Sequence, residues 1–149
     1  RRVFSPEDFA RLHPGGELGR RLTWTVADVM VSGPDRVPSL EPNSTLAAAM
    51  HEIAHRQGTV PIVDGESRVV GVITAGDLTR YADDHDDFLA HPVAAAMNPS
   101  PKTIGAGELA TRAIAVIQQH GIMALPVVDP DCRLLGMVHL HDLLRARLA

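Results

Sequence analysis

The sequence predicts an α+β protein in which two β-α-β-β-α repeats pack on each other about a pseudo-twofold axis. Residues 60–78, VPIVDGESRVVGVITAGDL, recur as LPVVDPDCRLLGMVHLHDL at residues 125–143. Matching residues of the two stretches, such as Pro61 and Pro126, lie 65 positions apart. An apolar stretch with helical spacing precedes each copy. An internal repeat sets the architecture, and neither half alone would bury its sheet well at this size.

Composition narrows the class of protein. Of the 149 residues, 45% are hydrophobic and only 3% aromatic, so we expect an aliphatic core. The net charge is −4 without a basic stripe, which argues against a nucleic-acid partner. No apolar run approaches the roughly 20 residues that span a bilayer, so we expect no membrane partner. The single cysteine, Cys132, excludes an internal disulfide and favours a reducing, cytoplasmic compartment.

The chain divides into four parts. Residues 1–23 are expected to hold a short helix and a linker, and residues 24–82 the first repeat. Residues 83–92 form an acidic connecting loop, and residues 93–149 the second repeat. Because the chain begins with Arg1 and has no signal peptide, we expect a piece of a longer protein. The DDHDD run in the loop lacks EF-hand spacing, so we expect solvated carboxylates there.

Each repeat is predicted to open with a short strand, at residues 37–40 and 102–104, and to continue with a helix. The predicted buried helix faces are Leu46, Ala49, Met50 and Ile53 in the first repeat and Leu109, Ala113, Val116 and Ile117 in the second. Gly58 and Gly121 are expected to end these helices. Closing helices are predicted from Ala75 to about Tyr81 and from His141 to Arg147.

The spacing between helix and strand differs between the repeats. Three steps separate Gly58 from Pro61, but five separate Gly121 from Pro126. We therefore expect the two clefts of the protein to differ in shape.

The duplicated motif h-P-h-V-D followed by G-h-h-T-x-x-D resembles the cystathionine-β-synthase (CBS) domain pair, or Bateman module. The first copy reads PIVD at residues 61–64 and GVITAGD at residues 71–77. The second reads PVVD at residues 126–129 and GMVHLHD at residues 136–142. The resemblance covers about residues 24–149. It implies a binding module without catalytic activity, with nucleotide sites in clefts between the repeats.

The flanking segments are similar to one group of proteins with such pairs. FSPEDFARLHPGG at residues 4–16, LGRRL at 18–22 and VHLHDLLR at 138–145 resemble bacterial arabinose-5-phosphate isomerases. The resemblance implies a parent enzyme that interconverts ribulose 5-phosphate and arabinose 5-phosphate, leading to the lipopolysaccharide sugar Kdo. It also implies a preceding sugar-isomerase domain, face-to-face dimers of the CBS pair and a tetrameric parent.

His13 falls in the part that resembles the isomerase domain. The resemblance implies that this histidine belongs to the isomerase active site, where a proton moves between adjacent carbons through an enediol. The remainder of that site is not in this chain. We therefore expect His13 to be catalytic only in the intact parent.

The first candidate ligand site follows from the resemblance and from side-chain chemistry. The Asp77 carboxylate can accept two hydrogen bonds from a ribose diol, and Thr74 offers a hydroxyl where a phosphate is favoured. Val60, Ile62 and Val72 are candidates for the apolar wall around a base. Thr74 and Asp77 are equally expected to cap the closing helix, and the two roles are compatible.

The second candidate site carries His139 where the motif has Ser or Thr, together with Asp142. A protonated His139 would pair with a phosphate or a sugar carboxylate, whereas a neutral one would pack in the core. The candidate regulatory ligands are AMP, ATP and CMP-Kdo, and no cofactor is expected to be required. The competing hypothesis is an architectural appendage that holds subunits together without a ligand.

Two further patterns point to metal chemistry only weakly. His51 to His55 match H-E-x-x-H, the signature of zinc peptidases. On a helix, both histidines are predicted to lie on a solvent-facing side away from any cleft, so we expect neither a metal site nor a zinc hydrolase. His139 and His141 would point to opposite sides of an extended strand. Cys132 is expected to be a bystander in a polar turn.

Overall fold

The computed structural model describes residues 22–55 and 58–148. The helices are α1 (Val26–Val29), α2 (Leu46–His55), α3 (Ala75–Asp84), α4 (Ala110–His120) and α5 (Leu140–Arg145), and two short 3-10 helices span Phe88–Ala90 and Val93–Ala95. The strands are β1 (Thr59–Val63), β2 (Val69–Thr74), β3 (Ile104–Gly105), β4 (Ala124–Val128) and β5 (Leu134–His139). The helix expected near residues 6–12 lies outside the described residues.

Two small sheets confirm the repeated strand pair. Strands β1 and β2 are antiparallel and pair Thr59 with Thr74, and β4 and β5 pair Ala124 with His139 in the same way. Strand β3 adds to β4 in parallel. The opening strand predicted at residues 37–40 is reduced to one parallel bridge between Leu40 and Ile62. Pro38 has no N–H to donate, which weakens pairing in that segment.

The helix faces agree with the prediction except at one position in each repeat. In α2, Leu46 and Ala49 are fully buried, whereas Met50 is 40% exposed at the rim of the buried face. In the second repeat Leu109 is 46% exposed because it is the residue before α4, and Ala110 takes the buried position instead. Each helix therefore buries fewer of its apolar side chains than the sequence pattern predicts.

The helix ends follow the capping residues. Gly121 caps α4 in the left-handed conformation, with φ of 62°, as predicted. Helix α3 runs on to Asp84, beyond the predicted end near Tyr81 and into the acidic segment. Helix α5 begins at Leu140 and ends at Arg145, two residues earlier than predicted. No helix among residues 22–55 and 58–148 has the length and apolar character needed to cross a membrane.

The two hydrophobic cores do not coincide with the two sequence repeats. Val26, in the opening segment of the first repeat, is buried in the core formed by the second repeat, with Ile117, Leu125 and Leu143. Val93, in the opening segment of the second repeat, is buried in the core of the first. Each repeat therefore completes its core with the opening segment of the other.

Backbone pairing holds the exchanged segments in place. Val31 pairs with Met137 on β5, and Asn98 pairs with Val72 on β2. Gly71 and Gly136 lie under these crossings. A Cβ at Gly71 would come 2.6 Å from the Met97 sulfur, and one at Gly136 would overlap the Val31 carbonyl oxygen. The glycine of the repeated motif is thus required by the close approach of the exchanged segment.

The two hairpin turns also contact each other. Arg68 and Arg133 form an antiparallel bridge, and the Val69 N–H donates to the Cys132 carbonyl over 2.9 Å. The Leu134 N–H donates to the Ser67 carbonyl over the same distance. The halves are therefore joined at both their opening segments and their turns, as expected for a pseudo-twofold pair.

Candidate functional site

Two grooves lie where the halves meet, and Thr59 and Ala124 line both of them. We name them the Thr74 groove, of about 460 Å³, and the His139 groove, of about 410 Å³. The Thr74 groove is also lined by Gly58, Val72, Thr74, Ala75, Gly76, Asp77, Arg80, Asn98, Pro101, Lys102, Gly121, Ile122, Met123 and Pro126. The His139 groove is also lined by Val31, Arg36, Val37, Pro38, His55, Pro61, Met137, His139, Asp142 and Arg145.

Thr74 and Asp77 form a reciprocal cap at the start of α3. The Asp77 N–H donates to Thr74 Oγ1 over 3.2 Å, while the Thr74 N–H donates to Asp77 Oδ2 over 2.9 Å. The Thr74 hydroxyl donates to the same Oδ2 over 3.0 Å. The predicted capping role of these residues is therefore present, and both side chains also line the groove. The cap fixes the carboxylate at the groove wall.

An arginine one helical turn further on is bound to each carboxylate. Arg80 Nη2 donates to Asp77 Oδ1 over 2.7 Å, and Arg145 Nη2 donates to Asp142 Oδ1. Both arginines line their grooves, and neither was predicted as a site residue. The signal is in the sequence, since D-L-x-R occurs in both copies at residues 77–80 and 142–145.

His139 and Asp142 repeat this arrangement at the start of α5, with the imidazole ring in place of the Thr74 hydroxyl. The His139 N–H donates to Asp142 Oδ2 over 2.8 Å, and the His141 N–H donates to His139 Nδ1 over 3.0 Å. His139 and Asp142 are only 5% and 7% exposed. The His139 ring is therefore packed in this corner and accepts a hydrogen bond from the first turn of α5.

Two of the predicted wall residues are not in either groove. Val60 and Ile62 are fully buried in the core with Leu46 and Val93. Their side chains share one face of β1, and that face packs inward because strand side chains alternate. Val72 does line the Thr74 groove, where Ile122, Met123 and Pro126 supply the rest of the apolar wall. The expectation for Val60 and Ile62 is therefore corrected.

The histidine predictions also need correction. His51 and His55 are exposed on α2, but His55 lines the His139 groove rather than facing away from any cleft. His139 and His141 do not point apart, because His141 lies in α5 and the two ring centroids are 4.5 Å apart. Within residues 22–55 and 58–148, no three His, Cys, Asp or Glu side chains are grouped so as to hold a metal ion.

Cys132 lies in the turn before β5, and its Sγ is 3.8 Å from the Val69 carbonyl oxygen. It contacts the other hairpin and lies in neither groove. His13 lies outside the described residues.

Comparison with known sequences identifies the family of the chain and several relatives. The family model of the CBS domain matches residues 26–84 and 93–149. The chain is 40% identical over 146 residues to arabinose 5-phosphate isomerase KdsD of Salmonella typhi. The match covers 97% of this chain but 44% of that relative, so the chain spans less than half of its length.

Solved structures share the fold. A structure of CBSX2 in complex with AMP is 22% identical, with a TM-score of 0.71 over 84% of this chain and 96% of that one. The CBS domain pair of protein MJ0100, in complex with 5′-methylthioadenosine and S-adenosyl-L-methionine, is 25% identical. Its TM-score is 0.67 over 81% of this chain and 93% of that one. Because the CBS family model matches both repeats and so covers most of the chain, the chain belongs to the CBS domain family.

Proposed function

We propose that this chain is the regulatory nucleotide-binding CBS pair of a bacterial arabinose-5-phosphate isomerase. The observation that carries the proposal is the pair of inter-repeat grooves, each with a fixed aspartate, Asp77 or Asp142, in its wall. Volumes of about 410 and 460 Å³ fall in the range of small-molecule sites. Similarity to structures with bound adenine nucleosides and nucleotides supports a ligand of this class.

The Thr74 groove offers each part of a nucleotide a matching surface. Asp77 takes hydrogen bonds from Thr74 and Arg80, and its two oxygens have about four acceptor positions in all, so a ribose hydroxyl can still bind. Val72, Ile122 and Met123 form an apolar wall suited to a base. Lys102 and Arg80 supply positive charge for a phosphate.

The parent enzyme is the second part of the proposal. It interconverts ribulose 5-phosphate and arabinose 5-phosphate in the cytoplasm, with catalysis in a sugar-isomerase domain that includes His13. CBS pairs associate as dimers, and the parent is a tetramer. The 40% identity to the curated isomerase supports this parent. The chain itself acts by binding, and regulation requires that the ligand prefer one arrangement of the module over another.

Titration calorimetry and thermal shift with AMP, ATP and CMP-Kdo test the proposal. We expect heat and a raised Tm with at least one of them, because a ligand of the folded state stabilises it. Asp77→Asn keeps a capping oxygen but removes the carboxylate, and we expect it to abolish binding in the Thr74 groove. Asp129→Asn, outside both grooves, is the matched control. The absence of heat and Tm shift with all three ligands would refute nucleotide binding.

The architectural hypothesis has one observation in its favour. Asp77 and Asp142 already accept capping bonds and an arginine each, which is a sufficient structural role without a ligand. Under this hypothesis Asp77→Asn and Asp77→Ala change only the stability, and sedimentation finds a dimer that no nucleotide affects. The binding and the architectural functions are therefore separated by the two Asp77 variants, through ligand titration and sedimentation.

A further inference from the structure

An apolar recess with a volume of about 440 Å³ lies on the second repeat, and it shares no wall residue with either groove. Its walls are Gly105, Ala106, Gly107, Val128, Asp129, Pro130 and Leu135. Asp129 is the charged residue among these walls, and its Oδ1 accepts the N–H groups of Asp131 and Arg133 in its own turn. The recess therefore presents mainly aliphatic side chains and backbone to a partner.

Two exposed leucines belong to the same surface. Leu135, in the wall of the recess, is 40% exposed. Leu109 follows the Gly105–Gly107 loop by two residues and is 46% exposed. We name the recess together with Leu109 the Leu135 surface. Exposed apolar side chains around an apolar recess are typical of a surface that another protein surface covers.

Leu109 stands where the first repeat has a residue that the fold uses. Thr45 precedes α2 as Leu109 precedes α4, and each residue forms a bridge with an incoming segment of chain. The Ala48 N–H donates to Thr45 Oγ1 over 3.2 Å, which caps α2. A leucine side chain accepts no such bond and is a poor N-cap. The second repeat therefore gives up a capping bond and exposes an apolar side chain in its place.

The recess also distinguishes the second repeat from the first. Val70 matches Leu135, 65 positions later, but Val70 is half-buried against the first core. The loop of small residues at 105–107, GAG, matches EPN at residues 41–43. The apolar, recessed surface is thus a property of the second repeat and not of the duplicated fold.

The chain enters the described structure beside this surface. The Ala27 N–H donates to the Ala106 carbonyl over 3.0 Å, and the Ala110 N–H donates to the Trp24 carbonyl over 2.8 Å. The opening segment is therefore bound along the loop that walls the recess. The match covers only 44% of the curated isomerase, and in the proposed parent the sugar-isomerase domain precedes this segment. That domain is consequently tethered next to the Leu135 surface.

We propose that the Leu135 surface is the docking site of the parent's sugar-isomerase domain, which inserts an apolar side chain into the recess and covers Leu109. The proposal rests on the proposed function, because that function supplies the preceding domain. A tethered domain is present at a high effective concentration, so a smaller interface holds it than a free partner would need. The contact joins the isomerase domain to the second repeat alone.

Hydrogen exchange of the full-length parent, compared with that of the 149-residue chain, tests the docking. We expect residues 105–109 and 128–135 to exchange at least about tenfold more slowly in the parent, because the docked domain covers them. The matched segments of the first repeat, residues 41–45 and 63–70, are the internal control. We expect them to exchange at the same rates in both proteins.

Variants of the two leucines locate the contact. Leu109→Thr introduces the cap that Thr45 provides in the first repeat, so we expect it to raise the Tm of the 149-residue chain and to reduce the protection in the parent. Leu135→Asp places a charge in the recess and is expected to abolish the protection. Leu89→Asp changes a leucine of the connecting segment that is 42% exposed, and it is expected to retain the full protection. Circular dichroism verifies that each variant is folded.

The outcomes separate the docking from the function on which it rests. If residues 105–109 and 128–135 exchange alike in parent and chain, or stay protected in both Leu109→Thr and Leu135→Asp, the docking is refuted. Protection that appears in the 149-residue chain and grows with its concentration would assign the surface to a second copy and would also refute it. Neither result affects nucleotide binding, which is measured by titration of the same proteins. A parent without isomerase activity would refute the proposed parent enzyme and, with it, this docking.

Discussion

The two grooves share a frame and differ in their lining. Each has an aspartate held by the N–H of the preceding cap residue and by an arginine one turn on. Each lies beside a strand glycine crossed by the other repeat's opening segment. The lining, however, includes Thr74 and Lys102 in one groove and His139 and Arg36 in the other. The repeated residues are those that the fold needs, whereas Lys102 and Arg36 are exposed side chains that each line one groove.

Separating the two repeats is expected to have the largest effect on folding, because they exchange their opening segments. Residues 22–90 expressed alone lack Val93, which fills their core, and they carry Val26 without its partners. We expect this fragment, and residues 91–148, to be unfolded by circular dichroism and amide dispersion. Mixing the two is expected to restore structure. Cooperative unfolding of either fragment alone would show that the repeats are independent after all.

Substitution of Gly71 or Gly136, which lie under the exchanged segments, has the next largest expected effect on stability. Gly136→Ala would drive a methyl group into the Val31 backbone, and we expect a loss of about 3 kcal/mol in the free energy of unfolding. Gly71→Ala meets the side chain of Met97 as well as the Asn98 carbonyl, and the side chain can move, so we expect about 1–2 kcal/mol. Urea unfolding measures both. Gly65→Ala has open space and is the control, and equal losses for all three would contradict the close crossing.

The aspartate–arginine pairs of the two grooves are expected to differ in strength, with a smaller effect on stability than the glycines. The Asp142 side chain is 5% exposed and that of Asp77 is 17% exposed, so Asp142 depends more on its cation. We expect Arg145→Gln to cost about 1–2 kcal/mol and Arg80→Gln less than about 1 kcal/mol in urea unfolding. Arg112→Gln is the exposed control. The reverse order would mean that burial does not set the strength of these pairs.

The smallest effect concerns the turn of the first hairpin. The N–H groups of Arg68 and Glu66 donate to Asp64 and lower its pKa below the usual 3.8. A lowered pKa in the folded state adds stability above the unfolded value, and this stability is lost as the pH falls through the folded pKa. We expect Asp64→Asn to reduce the loss of stability as the pH falls to 3.8 and below. Asp131→Asn, in the second turn, is the comparison variant, and an unchanged acid profile in Asp64→Asn would contradict this role.

Local chemistry made much of the fold predictable. The repeated motif gave the strand pairs, Gly121 the end of α4, and Thr74 with Asp77 the start of α3, because each depends on residues close together in the chain. The lining of the grooves was less predictable. Val60 and Ile62 have the same apolar character as Val72, and only the side on which the helices pack decides which of them face the core. His55 was likewise placed on the correct exposed side of α2, yet the neighbouring half brings a groove to that side.

The sequence by itself determined the duplication, the strand pairs and the capped closing helices, since periodicity and hydrogen bonding at helix ends act over a few residues. Only the tertiary structure decided that Val26 and Val93 exchange cores and that Arg36 and Arg145, from different halves, line one groove. The physical reason is that apolar burial is non-directional, so two similar opening segments satisfy either core equally well in sequence terms. Which core each opening segment enters depends on the path of the chain. The same path places residues of one half in the groove walls of the other.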